Sequence, residues 1–338
     1  METMHTLTPT QGTRKMKAII QSEYGSPDVL SLAEVDQPKL SDHGVLVRIH
    51  AASVHAGDWH LMRGTPFLLR LIYGGILKPK FQILGTDMAG QVEAVGRNIT
   101  QFKPGDRVFG DLSECGFGTF AEYVCVPEKA LVLKPTNITF EQAATVPVSA
   151  LAALQGLRDA GQIQSGQKVL INGASGGVGS FAVQIAKAFG AEVTGVCSTK
   201  KVDMVRSIGA DHVIDYTKDD ITKYRQHYDL VLDAAAYRSV FKYLPALKPQ
   251  GTYVMVGGST ARFFQVMIFG AWISKIAGRN IKFLTSQPNQ ADLIVLKDLI
   301  EAGKIVTRID LCYPLSEVPA AIRYVELRQV RGKVAISI

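Results

Sequence analysis

Cysteine is scarce in this sequence. Only four of the 338 residues are cysteines, Cys115, Cys125, Cys197 and Cys312, and none of them forms a C-x-x-C pair. Small secreted scaffolds depend on many closely spaced cysteines, so this scatter argues against a disulfide framework. The pattern favours reduced thiols in a cytoplasmic protein.

The sequence also lacks an apolar run long enough to cross a bilayer. Its most apolar segment, residues 263–278, carries Gln265, Ser274 and Lys275 and is too short to span. We expect a buried or interfacial helix there. Residues 1–15 are polar and have no apolar core, which argues against a secretory signal and predicts a short disordered tail.

Blocks of like charge are absent, although the formal net charge is +7. An excess of basic residues can bind nucleic acid, an acidic membrane or an anionic small ligand. Without a long Lys/Arg run, a mildly basic surface is the simpler interpretation, and we expect no nucleic-acid partner.

The chain contains two kinds of pattern, and its length suits two domains. From residue 16 to about 134, short apolar runs such as "GVLVRIHAA" and "GQVEAVG" alternate with Gly, Pro and Asp, which predicts an all-β part. From about residue 140, six strand-length apolar runs alternate with helical segments, which is typical of a doubly wound parallel sheet. Residues 290–338 predict two helices and a closing strand that returns to the β-rich part.

The glycine-rich stretch "NGASGGVGSF" follows the strand "KVLI" and opens a helix. A strand, a glycine turn and a helix together form a phosphate-binding site, because a backbone without Cβ atoms lets amides approach the phosphate and the helix N-terminus adds partial positive charge. Gly176 would permit the close approach, and Gly179 would allow tight packing of helix on strand. Ala174 departs from the strict G-x-G-x-x-G pattern. The alternative is a tight turn without a ligand.

The residues after the next strand indicate which dinucleotide is bound. An NAD site usually has Asp or Glu there for the ribose 2′-hydroxyl, but this sequence has "CSTKK". Ser198, Lys200 and Lys201 would attract a 2′-phosphate, which favours NADP(H) as cofactor. The alternative is that these lysines only begin a solvated helix.

With these residues in hand, the chain from residue 16 to 338 resembles the medium-chain dehydrogenase/reductase superfamily, most closely the zinc-free quinone oxidoreductase branch that includes zeta-crystallin. The matching stretches are "YGSPDVL", "GTDMAGQVEAVG", "FKPGDRVFG", "GTFAEYV", "NGASGGVG", "GADHVIDY" and "RGKVAISI". The resemblance implies an α/β protein with a GroES-like β-rich catalytic domain and a doubly wound parallel Rossmann domain, with the active site in the cleft between them. The expected boundaries are residues 1–15 for the tail, 16–140 and 287–338 for the GroES-like domain, and 141–286 for the Rossmann NADP-binding domain.

The resemblance also implies three groups of cofactor contacts, with a fourth from the tail. Those on the pyrophosphate loop are Ser175, Gly176, Gly177 and Val178. Those at the 2′-phosphate are Ser198, Lys201 and Tyr216. Those near the nicotinamide are Val256 and Gly257, and Lys333 reaches the cofactor from the tail.

We expect no metal. Zinc members of the superfamily have a cysteine and a histidine where this sequence has His55 and Thr86, and the four-cysteine structural zinc lobe is missing. A threonine hydroxyl is a poor zinc ligand. A local cluster of His55, Asp58 and His60 is the alternative metal site.

Chemistry without zinc favours reduction of an activated double bond or a quinone, because alcohol oxidation needs a Lewis acid. Hydride goes to an electron-poor carbon, and the resulting anion needs only hydrogen bonds and a proton. The candidate catalytic residues are His55, Asp58, Trp59 and Arg63. His55 either donates to the carbonyl oxygen or only caps a turn, and Asp58 orients the loop.

The substrate and the assembly are less determined. Residues 67–77 and 263–278 are apolar enough to line a pocket for hydrophobic acceptors, with Tyr73 or Trp272 stacking on a ring; dimer packing and transient membrane contact are alternatives. The resemblance favours a homodimer. Two other functions stay open, an enoyl-thioester reductase and a non-catalytic NADPH-binding protein of structural, RNA-binding or regulatory type.

Overall fold

The computed structural model of the chain describes residues 14–73 and 75–338. Most of the predicted tail over residues 1–15 therefore lies outside the described residues. Lys15, which that prediction included, begins the first strand.

The β-rich part consists of a two-stranded ladder and a seven-stranded sheet. The ladder pairs β1 (Lys15–Gln21) with β2 (Leu30–Asp36) in antiparallel register. The sheet contains β3 (Gly44–Val54), β4 (Asp87–Val95), β5 (Arg107–Asp111), β6 (Tyr123–Pro127), β7 (Leu131–Leu133), β14 (Ile309–Pro314) and β15 (Lys333–Ser337). The order is β14-β15-β3-β4-β5-β7, and β6 also pairs with β3.

The second sheet is parallel and has six strands in the order β10-β9-β8-β11-β12-β13. The strands are β8 (Lys168–Asn172), β9 (Glu192–Cys197), β10 (His212–Asp215), β11 (Tyr228–Asp233), β12 (Leu247–Met255) and β13 (Asn280–Phe283). All six strands coincide with the apolar runs predicted from the sequence. Val169, Leu170 and Ile171 of β8 are fully buried, because packed segments cover both faces of a parallel sheet.

Among the described residues there are nine α-helices. They are α1 (Ala56–Arg63), α2 (Leu68–Ile72), α3 (Phe140–Ala144), α4 (Pro147–Gln155), α5 (Gly177–Ala188), α6 (Val202–Ser207), α7 (Thr260–Ala277), α8 (Gln290–Glu301) and α9 (Val318–Glu326). The predicted helices after residue 290 are confirmed as α8 and α9, and the predicted closing strand is confirmed as β15.

The prediction that residues 16–134 are all-β was wrong, because α1 and α2 lie between β3 and β4. A capping box starts α1: the His55 ring accepts a hydrogen bond from the Gly57 amide, and the Asp58 carboxylate accepts one from the His55 amide. Gly64 ends the helix in the left-handed region, with φ of 59°. Histidine is not a usual capping residue, so the sequence pattern did not reveal this helix.

One apolar core joins the two parts of the chain. Ala51 and Phe109 of the first sheet belong to the same buried cluster as Leu154 of α4 and Phe181 of α5. The terminal segment closes the arrangement, since β15 pairs antiparallel with β3 and parallel with β14. The first sheet and the glycine loop are therefore held side by side, which creates a cleft between them.

Helix α7 contains the apolar segment singled out in the sequence. Only Val266, Gly270 and Ile273 of its 18 residues are buried. Its exposed apolar side chains are Met267, Ile268, Phe269, Trp272 and Ile276. Over the part of the chain that the structure describes, no helix has the length and apolar character needed to span a membrane.

Candidate active site

A cavity of about 500 Å³ lies between the two sheets. Its wall comes from the glycine loop, the ends of β9, β10 and β11, the start of α1, and the segment from α9 to β15. Ligands bind in open α/β sheets at the carboxyl ends of the strands, and this cavity lies at that position.

Three glycines of the loop lack a side chain for three different reasons. Gly173 has φ of 76°, a left-handed conformation that favours glycine. A Cβ on Gly179 would lie 2.1 Å from the carbonyl oxygen of Gly173, so that position has no room for a side chain. A Cβ on Gly176 would have only that same oxygen within 4 Å, at 3.4 Å, and would occupy cavity space instead. The loop is therefore closed on its inner side and open toward the cavity.

All four loop residues predicted at the pyrophosphate line the cavity, namely Ser175, Gly176, Gly177 and Val178. Helix α5 begins at Gly177, and its N-cap Gly176 makes no side-chain capping bond. The first-turn amides of such a helix have no acceptor within the helix and carry partial positive charge. The loop thus presents backbone donors to an anionic ligand.

The three residues predicted at the 2′-phosphate also line the cavity, beyond the ends of β9 and β10. Ser198 makes no side-chain capping bond to the turn that it starts. The Lys201 ammonium donates to the Val330 carbonyl oxygen at 2.7 Å, and burial lowers its pKa. Tyr216 is half exposed. Ser198, Lys201 and Tyr216 therefore surround one end of the cavity.

His55 lies on the part of the wall that the β-rich part contributes, at the N-terminus of α1. Its Nδ1 accepts from the Gly57 amide at 2.9 Å, so the proton of a neutral ring is on Nε2. Nε2 lies 2.6 Å from the Thr86 hydroxyl oxygen and 3.6 Å from an Asp58 carboxylate oxygen. The ring thus caps the helix through Nδ1 and contacts Thr86 through Nε2. Its donation to a substrate carbonyl oxygen stays a prediction.

The other three candidate catalytic residues do not line the cavity. Asp58 is fully buried, holds the His55 amide at 2.8 Å, and has a pKa raised mainly by burial. Trp59 packs against a hydrophobic cluster and stacks on His60. Arg63 forms a two-bond ion pair with Glu326 of α9, at 2.6 and 2.9 Å. These residues hold α1 in place, and His55 alone of the four reaches the cavity.

Lys333 reaches the cavity from β15 and is nearly completely buried. Its ammonium lies 3.0 Å from the Ser149 hydroxyl oxygen and 3.3 Å from an Asp87 carboxylate oxygen. Asp87 also accepts from the Ser53 hydroxyl at 2.6 Å and from the Val148 amide at 2.8 Å. A buried charge needs such partners, and this set of bonds fixes the position of Lys333.

Comparison with known proteins identifies the family of this fold and cleft. Residues 41–136 match the family described as the alcohol dehydrogenase GroES-like domain, and residues 208–336 match the family described as zinc-binding dehydrogenase. The 2-methylene-furan-3-one reductase of Solanum lycopersicum is 33% identical over 333 residues, covering 95% of this chain and 79% of that protein. The chain belongs to the medium-chain dehydrogenase/reductase superfamily.

Other relatives place the chain within the zinc-free quinone oxidoreductase branch of that superfamily, as predicted. The chloroplastic NADPH-dependent alkenal/one oxidoreductase of Arabidopsis thaliana is 33% identical over 334 residues, covering 96% of this chain and 80% of that protein. The structure of the quinone oxidoreductase from Coxiella burnetii superimposes with a TM-score of 0.86 at 29% identity, covering 96% of this chain and all of that one. The protein is an oxidoreductase of a nicotinamide-dependent family.

The glycine loop fits the diphosphate of a dinucleotide, because a Cβ at Gly176 would fill the space that a phosphate needs. Val256 and Gly257, predicted near the nicotinamide, are not on the cavity wall. The Gly257 carbonyl oxygen instead accepts a hydrogen bond from the Ala236 amide at 2.8 Å. Ala234 and Ala235, which follow β11, line the cavity at that level.

No group of three or more His, Cys, Asp or Glu side chains is placed to hold a metal ion, within residues 14–73 and 75–338. The ring of His60 does not join His55 and Asp58, because its Nδ1 lies 2.7 Å from the Thr65 carbonyl oxygen. The prediction that the protein works without a metal stays a prediction.

The cavity also has residues that the sequence analysis did not single out. The Arg328 guanidinium lies 3.9 Å from the ring centroid of Tyr237, and both residues line the cavity. The Gly332 amide donates to the Ser175 carbonyl oxygen at 2.8 Å. Together with the bond from Lys201 to the Val330 carbonyl oxygen, these contacts show that the segment before β15 crosses the cleft and meets the Rossmann part at three points. No local pattern in residues 327–332 marks this function, because it arises from contacts between distant segments.

Proposed function

We propose that this protein is an NADPH-dependent reductase that transfers hydride, without zinc, to an activated carbon–carbon double bond or to a quinone. One observation carries the proposal: the amide-lined glycine loop, the group of Ser198, Lys201 and Tyr216, and His55 of the β-rich part all line a single cavity. The names of the relatives support the same chemistry, since they include an alkenal/one oxidoreductase and a quinone oxidoreductase.

The residues of the cavity have separate roles in binding and in hydride transfer. A bound nicotinamide supplies the hydride. The glycine loop binds the diphosphate through its amides, and Ser198 and Lys201 bind the 2′-phosphate. For this, the Lys201 ammonium turns from the Val330 carbonyl oxygen to the phosphate.

His55 donates its Nε2–H in a hydrogen bond to the carbonyl oxygen of the acceptor, which replaces the Thr86 hydroxyl as the partner of that N–H, while Asp58 holds the His55 backbone amide. Lys333 also lines the cavity, and although Asp87 balances its charge, its ammonium N–H groups stabilise the anion that forms on that oxygen. Zinc is unnecessary because an enolate or hydroquinone anion needs only donors of this kind.

A second activity is favoured by one relative. A trans-enoyl reductase of Aspergillus terreus is 35% identical over 312 residues, covering 87% of this chain and 86% of that protein. This supports the enoyl-thioester alternative, which uses the same hydride transfer to a conjugated double bond.

We further propose that the protein is a cytoplasmic homodimer. Strand β13 is at the edge of its sheet, and the exposed apolar side chains of α7 lie next to it. Unpaired strand edges and apolar helix faces are stabilised by pairing, and two-fold self-pairing is the commonest way to do this.

A steady-state screen of quinones, enones, enals and enoyl-thioesters with NADPH and NADH tests the proposed reaction. We expect oxidation of NADPH with enones, enals or quinones, unchanged after dialysis against a chelator. A clear preference for thioesters would assign the second activity. Absence of turnover with every acceptor, or loss of turnover after removal of one tightly held zinc per chain, would contradict the proposal.

A further inference from the structure

Two buried carboxylates face each other beside the cleft. Asp87 of β4 and Asp111 of β5 are direct partners in the antiparallel register, and they are 0% and 6% exposed. Side chains at directly opposite positions have Cβ atoms only about 5 Å apart. Their carboxyl groups therefore share one small, poorly solvated space.

Among the described residues, only Lys333 forms an ion pair with either carboxylate. Lys333 lies 3.3 Å from Asp87, whereas no ion pair reaches Asp111 from any residue in 14–73 or 75–338. Asp111 accepts one backbone bond, from the Ser113 amide at 2.9 Å. Burial, followed by the charge of Asp87, raises the pKa of Asp111 to about 6. Asp111 therefore changes between its neutral and its ionised form at a pH near that value.

The surroundings of Asp111 include further ionisable groups from several elements. His55 acts on Asp111, and Tyr73 and Cys115 feel its charge. Asp111 also lines a second cavity of about 190 Å³ together with Glu114, Cys115 and Lys129. Asp58 and Lys333 face the other member of the pair, Asp87.

We propose that the buried Asp111, which faces the ion-paired Asp87, gains and loses a proton, and that this proton sets the charge beside the dinucleotide site and so controls cofactor affinity. The inference rests on the proposed function. With Asp111 protonated, Asp87 and Lys333 balance each other. When Asp111 loses its proton, the group has a net negative charge next to Lys333, which lines the cavity. An anionic dinucleotide then binds less tightly.

The direction of the pH dependence follows from the linkage between proton binding and cofactor binding. A ligand that binds better to the protonated form must itself increase proton binding, by the same free energy. Binding of NADPH should therefore be tightest below about pH 6, weaken as the pH rises above that value, and take up protons near neutral pH.

Calorimetric titration of NADPH into the wild type and Asp111→Asn, from about pH 5 to pH 8 in two buffers of different ionisation enthalpy, tests this inference. We expect the wild-type dissociation constant to rise about tenfold over this range, and that of Asp111→Asn to change much less, with less proton uptake. Ionisation of the 2′-phosphate contributes equally to both titrations. The surface variant Asp298→Asn should behave as wild type, and Asp111→Ser replaces Asp111→Asn if the latter does not fold.

The outcomes separate the two proposals. Equal pH dependence and equal proton uptake in the wild type and Asp111→Asn would overturn the role of Asp111 while leaving the proposed function intact. Loss of the pH dependence in His55→Gln but not in Asp111→Asn would assign the proton to the histidine and also overturn it. Failure of every variant to bind either NADPH or NADH would remove the proposed function and this inference together.

Discussion

At the scale of single residues, the cavity depends on side chains that make contacts across the cleft. Lys201 follows β9, yet its ammonium reaches the carbonyl oxygen of Val330, which precedes β15. Its neighbour Lys200 is exposed and does not line the cavity. Two adjacent lysines in the sequence therefore have different environments, which allows a matched test of cofactor choice.

Lys201→Glu should weaken the use of NADPH. The new carboxylate would repel a 2′-phosphate, and we expect the KM for NADPH to rise about tenfold or more, with a much smaller change for NADH. Steady-state kinetics with both cofactors measure this, and Lys200→Glu serves as the control of equal charge change. An unchanged KM for NADPH in Lys201→Glu would refute the assignment of the 2′-phosphate site.

At the scale of the element, two glycines in the turn between β8 and α5 have different roles, one in folding and one in binding. Gly179 faces the Gly173 carbonyl oxygen, whereas Gly176 faces the cavity and has ordinary φ of −86° and ψ of −179°. Glycine is needed at position 179 for the backbone to fold, and at position 176 to leave space for a ligand. Substitutions at the two glycines should therefore have different effects.

Gly176→Val should fold with nearly wild-type stability but lose dinucleotide binding, because its side chain would occupy the space of the diphosphate. We expect the dissociation constant for NADPH to increase by about a hundredfold. Gly179→Ala should instead lower the melting temperature, because its Cβ would collide with backbone, at a cost of about 1–3 kcal/mol or more. Thermal unfolding and calorimetric titration of both variants distinguish these effects. A Gly176→Val protein that binds NADPH normally would show that the cavity is not the diphosphate site.

At the scale of the whole molecule, the β13 edge and α7 are the surface that a second copy would cover. Trp272 is 62% exposed on α7, and a charge there would oppose burial against a partner. We expect the wild type to sediment as a dimer and Trp272→Glu to shift toward the monomer, with at least about a tenfold weaker self-association. Ile294→Glu, a similar change on the exposed face of α8, should stay dimeric. A wild-type protein that is monomeric at assay concentrations would contradict the homodimer.

The local strands and helices of the second sheet could be predicted from the sequence. Its six strands were found because each contains a short stretch rich in apolar residues, and the turn before α5 because four glycines fall between Gly173 and Gly179. Helix α1 was not found, because a histidine takes the capping position and the helix is too short for a clear period. Strand β14 was also missed, since its six residues are all partly or fully exposed and show no apolar run.

The sequence by itself determined the alternation of strands and helices, the position of the glycine turn, and the absence of an acidic residue after β9. These properties depend on neighbouring residues, whose spacing sets burial and backbone conformation. Only the tertiary structure decided that Arg63 pairs with Glu326 of α9, that Arg328 lies on Tyr237, and that Asp111 faces Asp87 while Lys333 pairs with Asp87 alone. Such contacts join residues far apart in the chain, and their charges and distances exist only once the sheets have packed together.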